Sequence, residues 1–370
     1  MKIIAVTTNF GLGPSSKLYS IVKELLDQGY NEITFCGNGE SLNFFKNNFE
    51  NSLNYIECDT DRINAEDFFK IINIETFDIL VNVMNVNIPK IQSNKELKIK
   101  SVFVDSLSWM WDKPIAGVDK YNLYFVQDTF MDAHKISDFN NVQLISPIVN
   151  TEGFVKEEKK NKILLNFAGI MTPYKNDIFY RKYIFFYLTL FSKIPEIDQY
   201  EVVCACNKMQ KQWLERNAYF NCNFSFRVMN HAEFLQEACE SSKVFSTPGL
   251  TFYLESQSLN LNVFYLLPSN YSQALLLEKY SNNNVECNTL SKYGYKYSTN
   301  ELLEEEEGVN SVRTAFFEIV ENYSEELLND LTKNIDKSFN SFLKASSDFK
   351  KENGVQTIVR IMCEKGVLKS

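Results

Sequence analysis

Short apolar runs alternate with helix-length segments along most of this chain, and that alternation limits the fold more than any other feature. Lys2–Thr7, Glu32–Phe35, Ile79–Val83, Ser101–Val104, Tyr124–Val126 and Val142–Ile145 read as strands, with helical segments such as Lys17–Gln28, Gly39–Asn47 and Ala65–Ile72 between them. Strands that return parallel to one another need long crossovers, usually helices, so the pattern predicts a parallel sheet covered on both faces. Around residues 149–161 the chain turns polar, with Lys156-Glu-Glu-Lys-Lys-Asn161, and the apolar run Ile163–Phe167 restarts the pattern. Glu201–Ala205, Phe224–Val228, Val244–Phe245 and Val263–Leu267 are the further strands expected there. Helices are expected over Arg181–Ser192, Lys208–Asn217, His231–Ser241, Thr251–Asn260 and Gln273–Ser281, and the chain from about Val309 to Glu364 reads as helical throughout. The expected fold class is α/β, two Rossmann-like doubly wound domains with a helical C-terminal tail. Their bounds are 1–152 and 160–350, with the segment 354–370 crossing back to brace the first. Open α/β sheets bind ligands beyond the carboxyl ends of their strands, so two such domains would face one another across a ligand cleft.

Composition removes several functions. A net charge of −9 works against nucleic acid as a partner, because binding a phosphate backbone needs a basic surface. No stretch approaches the ~18 apolar residues of a membrane span, and the apolar start of the chain is too short for a signal peptide. The expected location is therefore cytoplasmic. Eight cysteines are scattered without a CxxC pair, and Cys204 and Cys206 have no histidine nearby in sequence, so reduced core thiols are expected and no metal site. Richness in Asn, Lys, Ile and Phe reads as compositional bias. Oligomeric state is not legible.

The stretch Ser246-Thr-Pro-Gly-Leu-Thr-Phe-Tyr-Leu-Glu255 says most about chemistry. It lies between two strands, with Thr247 a good N-cap, Pro248 suited to the first helical position and Gly249 leaving the first amides unshielded. Such a helix start attracts anions. Pro248, Thr251 and Glu255 share one helix face, while Leu250, Leu254 and Leu261 form the apolar stripe. Glu255 is then expected beside the anion site, where a carboxylate can accept hydrogen bonds from sugar hydroxyls. Phosphates at the tip and a ribose further along describe a nucleoside diphosphate; an ordinary capped helix with an exposed glutamate is the plain alternative.

Other loops carry candidates. Gly11-x-Gly13 follows the first strand, but Ser16 stands where a dinucleotide fingerprint needs its third glycine, and the acidic residue expected after the second strand is absent. Lys17 could hold an anionic group or be a solvated helix lysine. Asp105 closes a strand and opens a loop carrying Trp109 and Trp111, which can stack on a flat or sugar-like ligand. As a carboxylate at a strand end, Asp105 could act as a general base or could cap the turn. His134 reads as a surface residue, and His231 could cap a helix or approach a base.

The motif Pro248-Gly249-Leu250-Thr251-x-x-x-Glu255, followed by Leu267-Pro268 and Asn270-Tyr-Ser-Gln273, resembles the donor site of GT-B glycosyltransferases, including the N-acetylglucosaminyltransferase that forms lipid II. The opening Gly11-x-Gly13-x-x-x-Lys17-Leu18, Val104-Asp-Ser-Leu107 with Trp109, and Asn166-Phe-x-Gly169 look like cytosylglucuronate synthases. These motifs span most of both domains. The resemblance implies a sugar transfer from a nucleoside diphosphate sugar, most simply a uridine one, to a small acceptor, with neither metal nor cofactor. It puts the diphosphate over Pro248–Thr251, the ribose on Glu255, the base near Val228 and His231, and the sugar near Gly169 and Gln273. The acceptor would lie against Gly11, Gly13, Lys17 and Trp109, with Asp105 as base. The first loop lacks the histidine that serves as base in several inverting relatives, so inversion or retention stays open. A nucleotide-sugar 2-epimerase and a catalytically silent nucleotide-sugar binder are the rival readings.

Overall fold

A computed structural model describes residues 1–49, 51–94, 98–110, 115–130, 139–157, 159–170, 177–195, 197–217, 220, 222–283, 285–295, 305–336 and 353–368. The fold class is α/β, with two all-parallel sheets and helical crossovers. The chain divides into two compact units. One comprises Met1–Asn150 with the C-terminal segment, and the other begins at Thr151.

The first unit has strands β1 (Lys2–Thr7), β2 (Glu32–Gly37), β3 (Asn54–Glu57), β4 (Ile79–Val83), β5 (Lys100–Asp105), β6 (Leu123–Gln127) and β7 (Val142–Ile145) in the order β3-β2-β1-β4-β5-β6-β7. Val6 stands opposite Cys36 on one side and Asn82 on the other, so the order reverses direction at β1 and β4. β4 is buried at every position, which is why its apolar run was readable. β3 was not: it lies at the sheet edge, half-exposed, and Asn54-Tyr-Ile-Glu57 has no continuous apolar run. Helix α1 (Gly13–Asp27) buries Leu18, Ile21, Val22 and Leu25, one face at helical spacing, against this sheet. α2 (Gly39–Phe49), α3 (Ala65–Ile71) and α4 (Asn87–Asn94) are the further crossovers.

The last helix, α11 (Gly354–Glu364), belongs to the first unit. Val355, Ile358, Val359 and Met362 form its apolar face and share a core with α1 and the sheet. Gly354 permits that approach: a Cβ there would sit 2.2 Å from the Ser146 carbonyl oxygen. Asn353 caps α11 through Val355 N–H and donates its amide to the Val149 carbonyl at 2.7 Å, and Lys100 donates to the Gly366 carbonyl.

In the second unit β8 (Lys159–Asn166), β9 (Glu201–Ala205), β10 (Phe224–Arg227), β11 (Ser241–Ser246) and β12 (Val263–Tyr265) are ordered β10-β9-β8-β11-β12. The helices are α5 (Asp177–Phe191), α6 (Lys208–Asn217), α7 (His231–Glu240), α8 (Leu250–Ser258), α9 (Tyr271–Asn282) and α10 (Glu305–Asp336). The tail was expected to be helical throughout. Instead α10 bends at Tyr323 (φ −129°, ψ 21°), and residues 337–352 lie outside the described residues. Its start also lies earlier than expected, at Glu305. Among the described residues no helix is long and apolar enough to cross a membrane.

Buried tyrosines hold this unit together. Tyr183 donates its hydroxyl to the Leu267 carbonyl at 2.5 Å, and Leu267 N–H donates to the Tyr187 hydroxyl at 2.9 Å, so α5 grips both polar groups of one residue just past β12. Burial raises the phenol pKa of Tyr183, Tyr187, Tyr265 and Tyr280. A phenol held neutral in the fold contributes stability fully present below the ordinary value near 10 and lost above it, because the unfolded chain releases those protons first. Burial also raises the thiols of Cys204, Cys206 and Cys287, so urea midpoints should begin to fall near pH 9 and fall more steeply between pH 10 and 11, where the tyrosines join; that second, steeper part shrinks in Tyr183→Phe.

Candidate functional site

In each sheet the strand order reverses at one place, β8 against β11 in the second unit and β1 against β4 in the first. Crossovers leave such a pair toward opposite faces, which opens a crevice beyond the carboxyl ends of the two strands.

At the β8–β11 switch the residue Asn166 ties the two loops. Its side-chain amide donates to Ser246 Oγ at 3.0 Å and its Oδ1 accepts from Ala168 N–H at 3.2 Å. Its carbonyl accepts from Thr247 N–H at 3.1 Å and from Thr247 Oγ1 at 3.3 Å. Thr247 is therefore not the N-cap that its residue type suggests. Its hydroxyl is buried and committed to the neighbouring strand end, and the N-cap falls on Gly249, with Leu250 rather than Pro248 opening the helix. Gly249 is extended (φ −164°) and brings no side chain to the first amides of α8. A Cβ built on it would meet nothing within 4 Å among the described residues. Leu250 and Thr251 are buried, which leaves the backbone as the polar surface of this helix start.

Glu255, one turn on, is 2% exposed rather than turned freely to solvent. Its Oε1 lies 2.8 Å from His231 Nε2. His231 is the first residue of α7, which starts from a complete capping box: Asn230 Oδ1 accepts from Glu233 N–H, and the Glu233 carboxylate accepts from Asn230 N–H. Val228, just past β10, is 44% exposed. Gly169 follows β8, and a Cβ on it would meet nothing within 4 Å among the described residues. Gln273 lies in the first turn of α9 with its Oε1 accepting from both Ser269 N–H and Ser269 Oγ, so its carbonyl end is occupied within its own loop. The structure thus joins Asn166, Ser246, Thr247 and the α8 start, and separately His231 with Glu255.

In the first unit Gly11 has φ 64°, a left-handed turn that favours glycine, and Gly13 opens α1 without a side-chain cap at Leu12. Lys17 is 2% exposed, not a solvated lysine. Asp105 is fully buried; Oδ1 accepts from Leu107 N–H at 2.7 Å and Oδ2 accepts from the Tyr124 hydroxyl at 2.8 Å. That geometry fits the turn-capping alternative. Burial and then the Asp105 charge push the Tyr124 phenol pKa up. Trp109 is 8% exposed, edge-on to Phe130, and among the described residues its buried indole N–H has no hydrogen-bond partner. Trp111, His134 and Met171–Pro173 lie outside the described residues.

The sequence reading missed a polar network at the β1–β4 switch. Asp61, partly exposed, accepts from Asn9 N–H at 2.7 Å and from the Asn85 side chain at 3.0 Å, while Asn9 Oδ1 accepts from Ser41 N–H. Asn87 donates to the Thr60 and Ile63 carbonyls, and Asn82 and Asn85 bond each other's polar groups. Burial lifts the Asp61 pKa above its ordinary value, against the Asn9 and Thr8 hydrogen bonds that lower it. The signal available was the clustering of asparagine just after strands, at Asn9, Asn38, Asn85 and Asn87, which composition alone attributed to bias.

No protein-family model matches the chain, and no curated protein matches it in sequence. Solved structures do. The glycosyltransferase of kitacinnamycin superposes with a TM-score of 0.53 at 11% identity, covering 98% of this chain and 98% of that one. MurG of Acinetobacter baumannii gives 0.51 at 10% identity, covering 98% and 100%. The fold is GT-B. The UDP-GlcNAc 2-epimerase of Methanocaldococcus jannaschii, solved in complex with UDP-GlcNAc and UDP, also superposes, with a TM-score of 0.57 at 13% identity over 98% of this chain and 99% of that one. At these identities the likeness is one of architecture. Within it, the uncapped α8 start and the His231–Glu255 pair belong to the second unit, and the Asp61 network and the Asp105 turn to the first.

Removing Asp105 leaves a buried donor, the Tyr124 hydroxyl, and a part-buried one, Leu107 N–H, without their acceptor. Asp105→Ala should lower unfolding stability by about 1–3 kcal/mol, read as a shifted urea midpoint with an unchanged slope.

Proposed function

We propose that this chain is a glycosyltransferase that moves a sugar from a nucleoside diphosphate sugar, UDP-linked in the simplest reading, to a small-molecule acceptor. The observation that carries the reading is the start of α8: backbone amides without a side-chain cap, open space at Gly249, and a buried carboxylate, Glu255, one turn further on. Amides at a helix start favour an anion, and a departing diphosphate gains negative charge in the transition state. The helix start can supply that stabilisation without a metal. In this reading the diphosphate lies over Pro248–Thr251 and the ribose on Glu255, with the base beside exposed Val228 and the sugar against Gly169 and the Gln273 loop. The likeness to glycosyltransferases of known structure supports it at the level of fold.

For the acceptor the proposal keeps the Gly11–Gly13 loop, Lys17 and Trp109. Asp105, enclosed by Leu107 and Tyr124, serves the turn that carries Trp109. The partly exposed Asp61 is the better placed carboxylate to take the acceptor's proton.

A 2-epimerase is the second reading, favoured by the epimerase likeness and by an acid/base candidate in Asp61. It shares the donor site. NMR of a UDP-sugar incubated with the protein alone separates the two: conversion to the 2-epimer without an acceptor supports the epimerase.

Calorimetry against UDP, CDP, GDP, ADP, dTDP and NAD should show saturable binding of a nucleoside diphosphate, and preference for NAD would end the reading. Gly249→Asp gives a sharper check. An aspartate at the N-cap satisfies the first amides and adds negative charge, so it should stabilise the protein by about 0.5 kcal/mol or more. The same change should lower UDP affinity roughly tenfold or more, since the carboxylate takes the phosphate's place. Unchanged UDP affinity would remove the α8 start from the site.

A further inference from the structure

The His231–Glu255 contact joins two residues that sequence-based reasoning assigned to different parts of a nucleotide. His231 Nε2 and Glu255 Oε1 are 2.8 Å apart, and their side chains are 10% and 3% exposed. An ionised carboxylate only accepts, so Nε2 carries the proton and His231 donates to Oε1. The capping box of Asn230 and Glu233 fixes the start of α7, and with it the ring that reaches α8. A carboxylate has four lone-pair sites on two oxygens, so one donor from His231 leaves acceptor capacity while limiting rotation of the group. A vicinal diol needs two acceptors at a set spacing, and a receptor already held in that geometry binds it with less ordering cost.

We propose that His231 is a positioning residue: by holding Glu255 Oε1 it presets the carboxylate to receive the 2′,3′-diol of the nucleotide's ribose, and so sets the preference for ribonucleotides over their deoxy counterparts. This rests on the donor site proposed above. His231 then acts on the nucleotide only through Glu255, and does not contact the base.

The test is calorimetry on the full chain with UDP and with 2′,3′-dideoxyuridine 5′-diphosphate, using wild type, His231→Ala, His231→Gln, Glu255→Ala and the double variant His231→Ala/Glu255→Ala. The wild type should prefer UDP by at least about tenfold, from charged hydrogen bonds to the diol. His231→Ala should lose most of that preference while binding the dideoxy nucleotide as the wild type does. His231→Gln, which keeps an N–H donor near the Nε2 position, should retain it. Glu255→Ala should abolish the preference, and adding His231→Ala should change nothing more, the non-additivity expected of residues that act as one. Should His231→Ala fail to fold, His231→Leu carries the same comparison with the bulk kept. Equal loss of both nucleotides, or no loss of either, in the histidine variant overturns the assignment. The underlying reading fails differently: the wild type would not bind UDP, or would bind both nucleotides alike.

Discussion

Where α8 begins depends on the hydrogen bonds of Asn166 across the ends of β8 and β11. Asn166 occupies Ser246 with its side chain and Thr247 with its carbonyl. Those bonds use up the hydroxyl that would otherwise cap the helix. The cap then falls to Gly249, which has nothing to offer the first amides, and the polar surface of the helix start stays available. An unfilled N-terminus costs some helix stability. The buried packing of Leu250, Phe252 and Leu254 offsets that cost, and the polar surface of the helix start is left to the backbone.

The rest of the second unit supports that start. β11 is buried at every position, and α5 grips Leu267 through Tyr183 and Tyr187 just past the neighbouring strand. The chain then reaches Ser269 and Gln273, which close on each other beside the N-cap Asn270. These loops are held by buried, specific hydrogen bonds, so the surface next to α8 has a defined shape. The first unit uses a different device, a web of asparagine amides around Asp61, in which each loop beyond the sheet bonds to another. That web keeps one carboxylate partly exposed while Asp105 is enclosed.

Much of the fold was legible because the strands of parallel sheets are buried on both faces and read as continuous apolar runs. Ile79–Val83, Val142–Ile145 and Glu201–Ala205 stand where their residues put them, as does the helix Lys208–Asn217. The edge strand β3 was lost because half-exposed residues carry no such run. Losing it also hid Asp61, which follows that strand by only a few residues and gains its surroundings from Asn9 and Asn85 in other loops.

By itself, then, the amino-acid sequence determined the α/β alternation, the positions of the buried strands and, through Gly249, a helix start whose first amides no side chain shields, since each is a local property of burial or backbone. The tertiary structure decided what the polar side chains around it bond to. Thr247 was turned from cap to cross-strand donor by Asn166, eighty-one residues away. Glu255, expected beside the helix start as an acceptor, became the partner of His231, and Asp105 was closed into a turn under Tyr124. Side-chain hydrogen bonds between strand ends are set by strand order and register, and no local pattern encodes them.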